Sequence, residues 1–308
     1  GNYYKPGLPR SKKLTFIAYK DENLRVAAIE AGDVDIIEYV PWQHMESVSN
    51  NNKLDLQTTD GPFMYLMFNN NHPALSKAKV RDAIGYAIKR EDVMAAAFFG
   101  RGNPLYGIPI PTKSPYYNSK LANHWRYDPA KAKAMLAEAG YPNGFEANLL
   151  STGQYGMHQD TAEVCQQHLQ AIGIKVKLSL PDWATRVDLG NKGQYDIGVM
   201  GSAGEFNDPD YLGHFIDGRI CSPLSCSNGL SDSKLNALLD AGRTELDEVK
   251  RKSIYDKVQM RFNEIIPIVT INWRAQGYAT QKNTRGFQNI PGFLTFFSGL
   301  MIENAENV

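Results

Sequence analysis

The stretch Thr161-Ala-Glu-Val-Cys-Gln-Gln-His-Leu-Gln-Ala-Ile-Gly173-Ile-Lys-Val-Lys-Leu-Ser-Leu-Pro181 carries two periodicities in succession. In its first half Cys165, Leu169 and Ile172 recur at helical spacing, and Gly173 is the residue type on which helices end. In its second half Ile174, Val176, Leu178 and Leu180 alternate with Lys175, Lys177 and Ser179. That two-residue period describes a strand with one solvated face. A helix feeding straight into a strand is the building unit of an α/β protein.

The alternation extends in both directions. Upstream, Asp128 can cap exposed N–H groups and Pro129 suits a first helical position, so Asp128–Ala139 is a helix closed by Gly140. Val80, Ile84 and Ile88 mark an amphipathic helix from about Lys79 to Lys89, and Glu22–Ala31 is a helix stopped by Gly32. Leu14–Tyr19, Val34–Tyr39 and Leu54–Thr58 read as strands, Trp42–Val48 as helical, and Met64–Phe68 as a short apolar run. Gly102–Asn118 contains Pro104, Pro109, Pro111 and Pro115 and is a loop. Downstream, Tyr195–Met200 and Ile268–Trp273 are strands, while Ile254, Val258 and Phe262 define a long helix. The fold class is therefore α/β, with no internal repeat.

Bulk composition narrows the function. At 308 residues one core is at the upper limit of comfortable size, which favours two lobes. Lys and Arg total 33, as do Asp and Glu, so the basic excess of a nucleic-acid binder is missing. No apolar run approaches the roughly 18 residues of a membrane span, and Ile265–Ile271 is broken by Pro267. The opening Gly-Asn-Tyr-Tyr-Lys-Pro-Gly-Leu-Pro-Arg reads as an extended loop entering from something earlier. Targeting segments are removed from mature proteins, so the lack of one does not argue for the cytoplasm.

Catalytic signatures are not found. Ser202 has Gly204 after it but Met200 before it, which is no nucleophile elbow. Ser231-Asp-Ser-Lys234 is too short a pattern to carry weight, and Gly100-Arg-Gly102 lacks the third glycine of a dinucleotide loop. His44, His72, His124, His158, His168 and His214 show none of the pairings of a preformed zinc site. No metal, cofactor or enzymatic role is expected. Cys165 reads as a small core hydrophobe. Cys221 and Cys226 share one loop: a bridge there implies an oxidising compartment, and two free thiols are the alternative. Trp183, Tyr195, Phe206 and Tyr211 gather among Glu205, Asn207, Asp208 and Asp210, which suits either a small-molecule pocket or an ordinary core.

Several blocks resemble the family 5 extracellular solute-binding proteins, which serve peptide and nickel ABC importers. These are Leu24–Ile36, Met64–Asn70, Val80–Val93 and, most specifically, Tyr127-Asp-Pro-Ala-Lys-Ala-Lys-Ala-Met-Leu-Ala-Glu-Ala-Gly-Tyr-Pro142 with Gly144-Phe145. Leu169–Val176, Asp182–Thr185, Asp208-Pro-Asp210 and Ser231–Ala241 continue in order. The resemblance implies a periplasmic binding protein type II-like fold, with mixed sheets flanked by helices and two lobes closing over a ligand. It implies a periplasmic or membrane-tethered location and ABC permease subunits as partners. It also implies a C-terminal fragment whose N-terminal section is missing and whose first lobe is incomplete, exposing sheet edge or apolar surface. On that scheme 1–72 are the remainder of the first lobe, 73–283 the second ligand-binding lobe, and 284–308 the return.

Site residues follow from the resemblance one at a time. Glu205 stands where dipeptide-binding relatives hold the ligand's ammonium with Asp, and Phe206 follows it. Trp183 matches a pocket tryptophan, and a bridge between Cys221 and Cys226 fits an exported protein. Those relatives also place an Arg shortly before the helix containing Glu163, to hold a peptide carboxylate. Here Ser151-Thr-Gly-Gln-Tyr-Gly-Met-His158 contains no Arg, leaving Gln154, Tyr155 and His158 as neutral substitutes. The expected ligand is a small peptide or similar amine-bearing solute; an opine, a nickel chelate or an oligosaccharide is the alternative, and a hydrolase is the reading from another class.

Overall fold

The computed structural model describes residues 3–19, 21–202, 208–290 and 299–308. In chain order the first elements are α1 (Glu22–Ala31), β1 (Ile36–Ile37), α2 (Met45–Asn50) and β2 (Leu54–Phe68). There follow α3 (Ala78–Ala87), α4 (Arg90–Phe98), β3 (Asn103–Pro104), α5 (Pro129–Glu138), β4 (Glu146–Leu150) and α6 (Gly156–Ala171). Next come β5 (Lys175–Ser179), α7 (Trp183–Asn191), β6 (Ile197–Gly201) and α8 (Gly213–Ile216). The chain finishes with α9 (Ser233–Thr244), α10 (Glu248–Ile265), β7 (Val269–Gln281), β8 (Thr284–Arg285) and β9 (Glu306–Asn307). These elements form two compact units. One comprises Gly1–Pro62 with Arg274–Val308; the other comprises Phe63–Ser202 with 208–273. The sequence places the divisions near 72 and 283, whereas the units part inside the two long strands β2 and β7.

In the first unit, Asp21 caps α1 by accepting from the Asn23 and Leu24 backbone N–H groups at 2.7 and 3.1 Å. Gly32, at φ 82°, closes the helix. β1 pairs antiparallel with the end of β7, in the register Ile36↔Thr280. Tyr278, Phe287, Met301 and Ala305 form a buried cluster that Ile36, Ile290 and Ile302 complete. The start of the chain is tied to its end. Tyr3 donates to Glu303 at 2.8 Å, Lys5 pairs with the same carboxylate at 2.6 Å, and Arg10 pairs with Glu306 at 2.6 Å. The unit's two ends are thus bonded together beside a buried core of its own. Leu14–Tyr19 differs from its reading too. It joins no strand, and Phe16 is 85% exposed, because no described strand offers the segment a partner.

The second unit is built on a mixed sheet. The end of β2 runs antiparallel to β6, from Met64↔Gly201 to Phe68↔Ile197. β4 lies parallel to both β6 and β5, giving the path β2-β6-β4-β5. Phe63 to Phe68 are all fully buried, as expected of a central strand covered on both faces. α5 packs on α3, α6 on α4 and α10 on α9, and α6 also covers β5. Arg81 and Arg90 are buried in this unit and bonded chiefly to carbonyl oxygens. Arg81 donates to Ile265, Ile266, Leu75 and Ser76, and Arg90 to Leu105, Gly85, Ile88 and Thr270.

A disulfide joins Cys221 to Cys226, with Cα atoms 6.0 Å apart, while Cys165 is a buried free thiol. Alkylation of unreduced, denatured protein should therefore label one cysteine, and reduction should raise that to all three. Intact-mass measurement reads the count. Three labels without reductant, in protein prepared under oxidising conditions, would show free thiols instead.

Candidate functional site

Ligands of open α/β sheets gather beyond the carboxyl ends of the strands. Here the parallel pair β4 and β5 delivers two connections to one such end. After β4, Ser151–Tyr155 leads into α6; after β5, Leu180–Asp182 leads into α7. The connections are sewn together. Ser151 N–H donates to the Ser179 carbonyl at 2.9 Å, and the Thr152 hydroxyl to the Pro181 carbonyl at 2.8 Å. The Trp183 N–H donates to the Gln154 side-chain oxygen at 3.0 Å. Asp182 caps α7 by accepting from the Thr185 N–H and hydroxyl, and those bonds hold its carboxyl below the usual range.

The result is an aromatic group drawn from both connections. Tyr155 meets Trp183 edge-on at 5.4 Å between ring centroids, and His158 stands 5.8 Å from the same indole. Tyr155 is exposed, Trp183 half-buried and His158 buried. Such an arrangement offers a face for apolar or planar parts of a solute, with the Gln154 amide beside it. Gln154, Tyr155, His158 and Trp183 are thus brought together, whereas Glu205 and Phe206 lie outside the described residues. Tyr195 is only 5% exposed and donates its hydroxyl to the Pro223 carbonyl at 2.7 Å, so it belongs to the core.

The sequence reading passed over Arg186. Located on α7 one turn beyond Trp183, it is fully buried, with its guanidinium carbon 5.0 Å from the indole centroid. Its Nη2 donates to the Val199 carbonyl at 2.6 Å. Burial pushes its pKa down. The helical step from Trp183 was a visible signal, since residues four or three apart share a helix face.

Farther along the chain, Asp208 receives Arg251 through two bonds of 2.7 Å each, which hold its carboxyl below the usual range. Asp208 also caps the turn Pro209–Leu212 by accepting from the Asp210 N–H at 2.9 Å. Asp210 in turn pairs with Arg243. The Asp-Pro-Asp motif is therefore clamped to α9 and α10. Among the described residues no group of His, Cys, Asp and Glu could hold a metal, and no helix is long and apolar enough to cross a membrane.

Residues 1–218 match the family model described as bacterial extracellular solute-binding proteins, family 5 Middle. The glutathione-binding protein GsiB of Shigella dysenteriae serotype 1 is 32% identical over 99% of this chain and 59% of its own length. GsiB of Pectobacterium atrosepticum is 33% identical over 96% of this chain and 58% of its length. The structure of the PBP AgaA from A. tumefaciens R10, in complex with agropinic acid, superposes with a TM-score of 0.90. It shares 45% identity over 99% of this chain and 62% of the AgaA chain. The peptide-bound DppA of Helicobacter pylori shares the fold, with a TM-score of 0.80 and 20% identity over 93% of this chain and 56% of its own. The chain spans about three fifths of the length of these relatives. The AgaA match covers both units, against the expectation that the first lobe is incomplete in a C-terminal fragment.

Proposed function

Because this chain belongs to the family 5 bacterial extracellular solute-binding proteins, we propose that it captures a small polar, opine-like solute outside the cytoplasm and hands it to an ABC permease without chemical change. The observation that carries the ligand class is the likeness to agropinic-acid-bound AgaA, at 45% identity over 99% of the chain. Peptide-bound structures at 20–22% identity support the fold alone. A dipeptide also finds no arginine between Ser151 and His158 to receive its carboxylate. The glutathione-binding relatives favour a second reading, a glutathione-like peptide, at 32–33% identity.

In this proposal Trp183, Tyr155, Gln154 and His158 meet the solute, and Glu205 and Phe206 join them by resemblance. The second unit is then a ligand-binding lobe, and the segments before and after it form the other. Titration calorimetry and thermal unfolding with agropinic acid, glutathione and the dipeptide Met-Leu test the ligand class. Agropinic acid at about a hundred times its Kd should stabilise the protein by about 2.7 kcal/mol and be recovered unchanged by mass spectrometry. Tight binding of glutathione or Met-Leu without agropinic acid would return the ligand to the peptides. Conversion of any probe would make the protein an enzyme.

A further inference from the structure

Arg186 is the buried cation with the fewest partners in the second unit. Arg81 and Arg90 fill their donors with carbonyl oxygens, but Arg186 donates only through Nη2, to Val199 and toward the Met200 sulfur at 3.0 Å. Its Nε and Nη1 are buried without an acceptor among the described residues. Among the described residues no carboxylate forms an ion pair with it. The phenols of Tyr65 and Tyr195 are the titratable groups whose charge it would feel. Both hydroxyls donate elsewhere, to Ser225 and Pro223, and burial pushes both pKa values up, so neither supplies an anion. A guanidinium keeps its charge in protein interiors, and a charge buried without a counter-ion is strongly unfavourable.

The position of that charge gives it a use. Its carbon lies 5.0 Å from the Trp183 ring, the same indole that touches Tyr155 and His158. We propose that Arg186 is the anion-recognising residue of this site, and that the solute presents a carboxylate to its empty donors. This rests on the reading of the chain as a solute receptor. It replaces a carboxylate clamp missing between Ser151 and His158 with one reached from behind the tryptophan. Since the half-buried indole covers the guanidinium, the ring shifts when the acid enters, and tryptophan fluorescence reports the event.

Two arms test the proposal. The first compares agropinic acid with the same compound carrying its acid groups as amides, by calorimetry on wild type, Arg186→Met and Arg186→Lys. Wild type should prefer the acid by roughly tenfold or more, the energy scale of a charge-assisted hydrogen bond. Arg186→Met should bind acid and amide alike, and Arg186→Lys should recover part of the preference. The second arm needs no solute. Arg186→Met should melt no lower than wild type, because an apolar side chain replaces an unpaired charge. Acetate in place of chloride, at equal ionic strength, should raise the melting temperature of wild type more than that of Arg186→Met.

An unchanged acid-to-amide ratio in Arg186→Met overturns the proposal, as does a lower melting temperature for that variant. If wild type binds none of agropinic acid, glutathione and Met-Leu, the receptor reading fails. The acetate comparison then still decides whether Arg186 receives carboxylates, and equal acetate responses overturn that inference.

Discussion

Arg90→Ala is expected to lower the thermal midpoint by about 10 °C, at roughly 2–4 °C per kcal/mol for a unit of this size. The side chain is 1% exposed and satisfies the carbonyls of Leu105, Gly85, Ile88 and Thr270 at 2.7–3.1 Å. Those acceptors come from α3, the segment joining it to α4, the connection after β3, and β7. One planar fork therefore ties four pieces of backbone. Truncation strands several buried oxygens, each worth about 1–3 kcal/mol, and empties the space beside Tyr106 and Trp125. Breaking buried charged networks costs about 3–5 kcal/mol. Arg90→Lys should be nearly as damaging, since a point charge cannot reproduce the fork. Differential scanning calorimetry decides; a loss below 2 °C, by the same ~2–4 °C per kcal/mol conversion, would mean that water replaces the guanidinium.

Gly144→Ala should be the second severe change, and it reaches the candidate site from the opposite end of the strands. Gly144 has φ +72°, and a Cβ there would lie 1.8 Å from the Gly173 carbonyl oxygen. Gly173 also has positive φ, but a Cβ on it would meet nothing nearer than 3.6 Å. Gly173→Ala should therefore cost about 1–2 kcal/mol, the conformational penalty alone. Gly144→Ala must in addition push two backbones apart, and its expected cost exceeds about 4 kcal/mol, the range reserved for such disruptions. The Lys175 N–H donates to the Phe145 carbonyl at 2.8 Å and starts the β4–β5 pairing. Displacing that contact moves the far ends of both strands, where Thr152, Gln154 and Trp183 are joined. Solute affinity should fall with stability in Gly144→Ala and survive in Gly173→Ala. Equal midpoints for the two variants would show that the close approach is not needed.

The local elements announced themselves through punctuation. Gly32, the Asp128-Pro129 pair and Gly173 mark helix ends that the structure places within a residue or two. Boundaries without such punctuation moved. α6 begins at Gly156, ahead of the expected Thr161, because Tyr155 precedes it with no capping side chain to read. β2 continues through Gly61 and Pro62, residues that argue for a break, and so joins two runs that look separate in sequence. The site was readable only in part. Trp183 and Tyr155 come from connections distant along the chain, and their meeting depends on the parallel register of β4 and β5. Arg186 was overlooked for a different reason. An arginine between Thr185 and Val187 reads as a solvated helix residue, and only tertiary burial reveals a charge without a partner.

The bridge between Cys221 and Cys226 bears on how the protein matures. Its cysteines are separated by 5 positions, so the bond can close while the surrounding chain is still extended. Contact between either of them and Cys165 requires a loop roughly ten times longer, an entropic handicap of about 2 kcal/mol or a bias near thirtyfold. An oxidant meeting the unfolded chain outside the cytoplasm would thus make the native pair first. Cys165 could then enter the core as a thiol, and no isomerase would be needed to sort the three.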